Sequence, residues 1–213
     1  VWLTRRWIAQ LGLAEAEQLC RLDNAAPPLS FRVNTNPISQ EAALAALSDR
    51  YGTFLPSAIV PDGIVCRELS GSLNALPLLQ DGVLQIQDEA SMLVGHIVAP
   101  QPGERVLDVC SAPGGKTTHL AALMRGTGEV VALDIHPHKV QLVKDTAQRQ
   151  GLANVRAQAM DARELPSAWE RSFDRVLVDA PCSGLGVLRR KADARWNKTE
   201  AELAALPALQ LAI

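Results

Sequence analysis

No stretch of this 213-residue chain approaches the roughly twenty consecutive apolar residues needed to cross a bilayer. The N-terminal VWLTRRWIAQLGL is amphipathic and runs on into helical pattern, without an apolar signal core or a small-residue cleavage site. No membrane span is expected, and a cytoplasmic location is. The four cysteines, Cys20, Cys66, Cys110 and Cys182, form no C-x-x-C pair. Neither a disulfide framework nor a zinc site is suggested, and no metal is expected. There is also no excess of charge of one sign. A formal net charge of −2 gives no global attraction to nucleic acid, while leaving room for a local basic patch. Internal repeats and low-complexity segments are missing too, so the chain reads as one large domain or two small ones.

What is present changes character along the chain. The first part combines a helix over residues 2–11, the loop NAAPPLS, a short strand FRVNT, a helix through EAALAAL and a strand GIVCREL. It reads as a small α+β unit over residues 1–86. A helix over residues 87–98, opened by Asp88, leads into a second unit over residues 87–213. From Arg105 onward RVLDV, KTTHLAALM, EVVALDI, KVQLVKDTAQRQ, VRAQAM and FDRVLVDA alternate strand and helix. That alternation predicts a parallel sheet with crossover helices, and hence an α/β fold. Four strands followed by an unfinished helix leave one sheet edge without neighbours, so the chain is expected to be a fragment.

The turn DVCSAPGGKTTH, between the first of these strands and its helix, raises the question of a ligand. Gly115-Lys116-Thr117 match the end of a phosphate-binding loop, but Cys110 stands where that loop requires glycine. FDRVLVD resembles the magnesium-holding strand of nucleoside triphosphatases, which keeps that enzyme class as an alternative. Acidic residues at strand ends favour another ligand. Asp108, Asp134, Asp161 and Asp179 fall at or just beyond the four strand ends, where open parallel sheets bind their ligands. Four carboxylates repel a triphosphate and suit a ligand with a positive centre and sugar hydroxyls, as in S-adenosylmethionine. Asp134 lies twenty residues beyond Gly114, the interval at which an acidic residue can accept hydrogen bonds from a ribose. Gly114 and Gly115 permit close backbone approach, and the N–H groups of the new helix can hold a carboxylate.

The fourth strand runs into Asp179-Ala180-Pro181-Cys182. Methyltransferases acting on exocyclic or amide nitrogen typically carry D/N-P-P and an aromatic residue here, so this turn points to carbon. Carbon 5 of cytosine needs activation. A thiolate adds to carbon 6, carbon 5 takes the methyl group, a base removes its proton, and the thiol leaves. Such chemistry also requires the base to leave its stack.

DVCSAPGGKT, ALDIHPHK, AMDAREL and DRVLVDAPCSGLGVLRRKADARW together resemble the RNA 5-methylcytosine methyltransferases of the Sun/Fmu type, most closely the bacterial small-subunit ribosomal RNA methyltransferase B group. FRVNTNP and LQDGVLQIQDEAS extend the resemblance over nearly the whole chain. It implies a Rossmann-like class I methyltransferase fold with the first four strands present, preceded by a small α+β RNA-binding subdomain. It implies S-adenosylmethionine as cofactor, bound by Cys110, Ser111, Ala112, Pro113, Gly114, Gly115 and Lys116, with Asp134 at the ribose and Asp161 at the adenine side. Asp179 is implied at the methionine end or in catalysis.

In that family the nucleophile is a cysteine of a later Thr-Cys motif, and the Pro-Cys thiol, here Cys182, serves product release or acts as a base. No Thr-Cys pair occurs in these residues. The resemblance thus places the main nucleophile beyond Ile213 and implies that this chain alone does not complete the reaction. The family's N-terminal helical RNA-binding domain has no match here either. Arg189, Arg190, Lys191, Arg195 and Trp196 form the densest basic cluster and are candidates for RNA contact, with a solvated loop as the alternative. Arg32 and Asn34 resemble the family's RNA-contacting segment. A non-catalytic cofactor- or RNA-binding module is the reading from another class.

Overall fold

A computed structural model describes residues 2–48 and 50–213. They form two compact units: Pro28–Ala180, and a flanking unit made of the chain up to Pro27 together with Pro181–Ile213. The boundary expected at residues 86 and 87 falls inside the larger unit, where its first sheet ends. The flanking unit begins with α1 (Trp2–Leu11) and α2 (Leu13–Asn24), hinged at Gly12, whose φ of 82° suits glycine.

The larger unit starts with an antiparallel sheet of β1 (Leu29–Val33), β2 (Gly52–Pro56), β3 (Gly63–Leu69) and β4 (Leu84–Ile86), in the order β2-β3-β1-β4. Helix α3 (Gln40–Leu47), capped by the Ser39 hydroxyl, and the short α4 (Pro77–Gln80) accompany it. Phe31, Val33, Leu47, Phe54, Ile64 and Leu84 form its core. Phe31 and Val33 alternate with Ser30, Arg32 and Asn34, yet these polar residues are buried as well. Both faces of β1 are therefore covered.

The covering elements belong to the second sheet's half. After α5 (Glu89–Val98), with Asp88 at its N-cap, come β5 (Arg105–Asp108), α6 (Gly115–Leu123), β6 (Glu129–Asp134), α7 (Pro137–Arg149), β7 (Val155–Ala159) and β8 (Arg175–Leu177). The four strands pair in parallel in the order β7-β6-β5-β8. The expected α/β architecture is thus observed, with β5 inside the sheet and β8 at an edge. Val106, Val130, Leu120, Met124 and Leu177 pack as one core, and Ala132, Val140, Val143 and Ala157 as another. The flanking unit closes with α8 (Ala194–Asn197) and α9 (Glu200–Ala212), which opens on a reciprocal capping box between Thr199 and Glu202. Among the described residues no helix is long and apolar enough to cross a membrane.

A buried polar centre joins the halves of the larger unit. Asp62, just before β3, reaches His96 of α5 at 2.7 Å and His119 of α6 at 2.8 Å. The His119 ring lies against Gly95, where a Cβ would fall 2.4 Å from Nδ1. Burial lowers the His119 pKa to about 4, with the Arg32 charge adding to this against the pull of Asp62. Burial works to raise the Asp62 carboxyl, but the hydrogen bonds and charge of the two histidines hold it at about 2.

Acid should therefore loosen this junction. An unfolded His119 takes a proton near 6.5 while the folded ring resists until about 4, so stability falls as pH drops across that interval. The His119 contribution is on the order of 3 kcal/mol. Asp62 adds a further loss between 3.8 and about 2. Urea midpoints at pH 7 and pH 4.5 should differ clearly in the parent chain and by much less in His119→Gln. An unchanged pH slope in that variant would contradict the assignment.

Candidate cofactor site

The site is built on the turn between β5 and α6. β5 is paired on both sides, so its carboxyl end opens above the middle of the sheet. Ser111 anchors the turn by donating its backbone N–H and its hydroxyl to Leu133 O, both at 2.8 Å. Gly114, the α6 N-cap, has a φ of 106°. A Cβ there would lie 3.1 Å from Val143 Cα, so both the backbone conformation and the close approach to α7 call for glycine. The first α6 hydrogen bond returns from Thr118 N–H to Gly114 O. The N–H groups of Gly115, Lys116 and Thr117 are accordingly left for a ligand.

A recess of about 220 Å³ lies against this turn. Cys110, Ser111, Ala112, Pro113, Gly115, Lys116 and Asp179 all line it, so most of the residues expected at a cofactor site converge. Asp108 lines it too. Its Oδ2 accepts from the Thr117 hydroxyl at 2.7 Å, while the buried Oδ1 makes no hydrogen bond of good geometry. Burial pushes the Asp108 carboxyl up to about 6, only partly opposed by Thr117. Burial, with the charges of Asp108, Asp134 and Asp179 in addition, raises the Cys110 thiol to about 11. Cys110 thus stays protonated near neutrality. Lys116 Nζ lies 2.6 Å from Asp179 Oδ2, joining the ends of α6 and β8 by an ion pair.

Asp134 and Asp161 stand at the ends of β6 and β7, outside the walls of this recess. Asp134 Oδ1 accepts from the His136 backbone N–H at 2.9 Å. Asp161 is gripped by Arg163 through its side chain and backbone, and these hydrogen bonds hold its carboxyl at about 2. Three further wall residues, Gln85, Gln87 and Ser91, carried no signal of their own in the sequence beyond lying in the LQIQDEAS segment.

The residues expected to touch RNA fare differently. Arg32 is fully buried and donates to Gln87, Thr118 and Gln150, while Asn34 donates to Gln150 O. The expectation of RNA contact is corrected for both, because neither buried side chain reaches the surface. Within the flanking unit, Arg189 donates to Ala25 O and Ala26 O, and Arg195 to Asn24 Oδ1 and Asp23 O. Both cap the carbonyl end of α2. Arg190 and Lys191 are exposed, and Trp196 is 81% exposed. Cys182 is exposed as well, in a depression it shares with Arg6, Glu200 and Leu203, and Gln210 donates to the neighbouring Pro181 O at 2.8 Å.

The family described as 16S rRNA methyltransferase RsmB/F matches residues 95–213, more than half of the chain. The chain belongs to this family. A ferredoxin-like domain of the same RsmF/B-like proteins matches residues 1–69. A probable ribosomal RNA small subunit methyltransferase B of Bacillus subtilis is 39% identical over the whole chain, which covers 47% of that protein. A ribosomal RNA small subunit methyltransferase B of Pseudomonas putida is 37% identical over 91% of the chain and 44% of its own length. The chain thus spans about half the length of these curated relatives. A methyltransferase homologue from Pyrococcus horikoshii superposes with a TM-score of 0.84 at 28% identity, covering 98% of this chain and 65% of that one. The fold is also that of NSun6 from the same organism, solved with SFG (TM-score 0.87, 22% identity, 99% and 77% coverage). The resemblance read from the motifs is borne out.

The turn's dependence on Gly114 is testable. Gly114→Ala should lose about 1–3 kcal/mol in urea unfolding, from backbone strain and crowding against α7. A loss below about 0.5 kcal/mol would show that the turn tolerates a side chain.

Proposed function

We propose that this chain binds S-adenosylmethionine in the recess beside the β5–α6 turn and forms part of an enzyme that methylates carbon 5 of cytosine in small-subunit ribosomal RNA. The observation that carries the reading is the composition of the recess. Asp108 and Asp179 outnumber Lys116, which is already paired with Asp179. A triphosphate would meet that excess of negative charge, and the lysine that would have to greet it is neutralised. A ligand carrying an ammonium and a sulfonium centre suits the same walls. The SFG bound to the Pyrococcus NSun6 is an S-adenosylmethionine analogue, which agrees with this choice.

S-adenosylmethionine supplies an electrophilic methyl group, and the chain's own residues hold it and present the target. The first turn of α6 offers N–H donors to the terminal carboxylate. Asp108 offers its unpaired oxygen to the ammonium. Asp134 accepts from the ribose and Asp161 stands at the adenine side, which places the nucleoside over the ends of β6 and β7. Asp179, held by Lys116, is poised for the methionine end or the cytosine edge. A recess of about 220 Å³ accommodates the amino-acid tail and leaves the nucleoside outside it.

In the same reading a thiolate adds to carbon 6 of an unstacked cytosine, a base removes the carbon 5 proton, and the thiol leaves. Cys182 follows Asp179 by three residues and takes the release or base role. The covalent nucleophile belongs to a Thr-Cys motif that these 213 residues do not contain. Arg190, Lys191 and Trp196 remain the candidates for contact with phosphate and base, and Arg189 and Arg195 shape the loop that carries them.

Calorimetric titration of this chain with S-adenosylmethionine and with ATP should give binding for the first and none for the second; the reverse would overturn the cofactor assignment. A longer protein carrying the Thr-Cys motif should leave 5-methylcytosine in unmodified small-subunit ribosomal RNA, and a methyl group found on nitrogen or ribose would refute the carbon 5 reading.

A further inference from the structure

The hydrogen bonds around Arg32 run in one direction, and they end at the wall of the recess. The guanidinium has donors only, so the Gln87 atom that meets Arg32 Nε at 2.9 Å is the carbonyl oxygen Oε1. This contact fixes the orientation of the amide, and Gln87 Nε2 is left to donate to Ser91 Oγ at 3.3 Å. Having accepted that hydrogen bond, the serine hydroxyl keeps its own proton as a donor. Arg32 itself cannot turn away, because Thr118 Oγ1 and Gln150 Oε1 take Nη2 at 3.0 and 3.1 Å. A buried cation thus polarises a chain of two neutral groups towards the recess.

Gln87 and Ser91 line the recess together with Gly115. Ser91 is the third residue of α5, and Gln87 Oε1 lies 3.8 Å from where a Gly115 Cβ would be. Gln87 therefore stands across from the first turn of α6, whose N–H groups are unspent, and Ser91 lines the same recess beside it. Asp108 Oδ1, buried and without a good hydrogen bond, belongs to the same recess. The Ser91 hydroxyl on one wall, the first turn of α6 on another and the Asp108 oxygen on a third form a receptor for the two charged ends of an α-amino acid. The other carboxylates facing this space are Asp88 and Asp179, and both favour the cationic end.

We propose that the Ser91 hydroxyl, oriented by Arg32 through Gln87, seats the carboxylate of the cofactor's amino-acid tail together with the first turn of α6. This inference rests on the methyl-donor reading given above. Ser91 is the binding residue, and Gln87 and Arg32 are positioning residues that act through it. The N-terminal sheet thereby contributes to the cofactor site from its interior, through a strand whose polar face is closed to solvent.

Two ligands separate this claim from a general effect on the fold. S-adenosylhomocysteine carries the amino-acid tail, and 5′-deoxy-5′-methylthioadenosine has the same nucleoside and thioether without it. Calorimetric titration of the whole chain with each should show Ser91→Ala weakening the first about tenfold, the scale of one hydrogen bond to a charged group, and the second by less than twofold. Arg32→Met should show the same selective loss, read as the ratio of the two affinities in protein shown to be folded. If that variant does not fold, Ser91→Ala and Gln87→Leu decide the matter. Equal weakening of both ligands, or none, would overturn the carboxylate seat. Failure of the parent chain to bind either ligand would instead overturn the methyl-donor reading, and the seat with it.

Discussion

A single buried guanidinium organises the larger unit. Arg32 extends from the middle of the antiparallel sheet and is met by Gln87 before α5, Thr118 on α6 and Gln150 at the end of α7. Burial lowers its pKa only to about 10, with the Asp62 charge opposing the shift, so the group remains a cation at neutral pH. A buried charge without a directly bonded carboxylate is costly, and the neutral acceptors gathered here offset that at Nε and Nη2, while Nη1 is buried without a partner. The requirement brings three segments of the methyltransferase half to one strand of the preceding sheet. Asp62, tied to His96 and His119, repeats the arrangement with the opposite sign.

The candidate recess is braced by this junction. Thr118, which accepts from Arg32, follows directly on Thr117, which donates to Asp108. One turn of α6 therefore presents a face to the buried cation and another to the recess. The β5–α6 turn is held from below by Ser111 on Leu133 and from the side by the fit of Gly114 against α7. Lys116 and Asp179 then join that turn to the end of β8.

Much of this was legible in the sequence, for reasons that local pattern can carry. The alternation from Arg105 gave β5, α6, β6, α7, β7 and β8, since buried parallel strands are continuous apolar runs and their helices are periodic. The β5–α6 turn was legible because Gly114 and Gly115 mark a strand-to-helix turn that needs a positive φ and a close approach to α7. The short β2 and β4 were not marked, having three to five residues and little alternation. Arg32 and Asn34 misled because alternation along β1 assigns them to the face opposite Phe31 and Val33, which in a two-layer unit would be solvated. Helices more than fifty residues away in sequence close that face, and no local signal reports this. Arg189 and Arg195 read as an RNA-binding run for a similar reason: their partners lie in the last turn of α2 and the two residues after it, over 160 residues earlier.

The central claim is that one ligand bridges the segment 87–91 and the turn 110–117. Amide hydrogen exchange of the chain with and without S-adenosylhomocysteine tests it most directly. The account predicts that both segments gain protection together at saturating ligand, and that ATP protects neither. Protection confined to the turn, or produced equally by ATP, would contradict it.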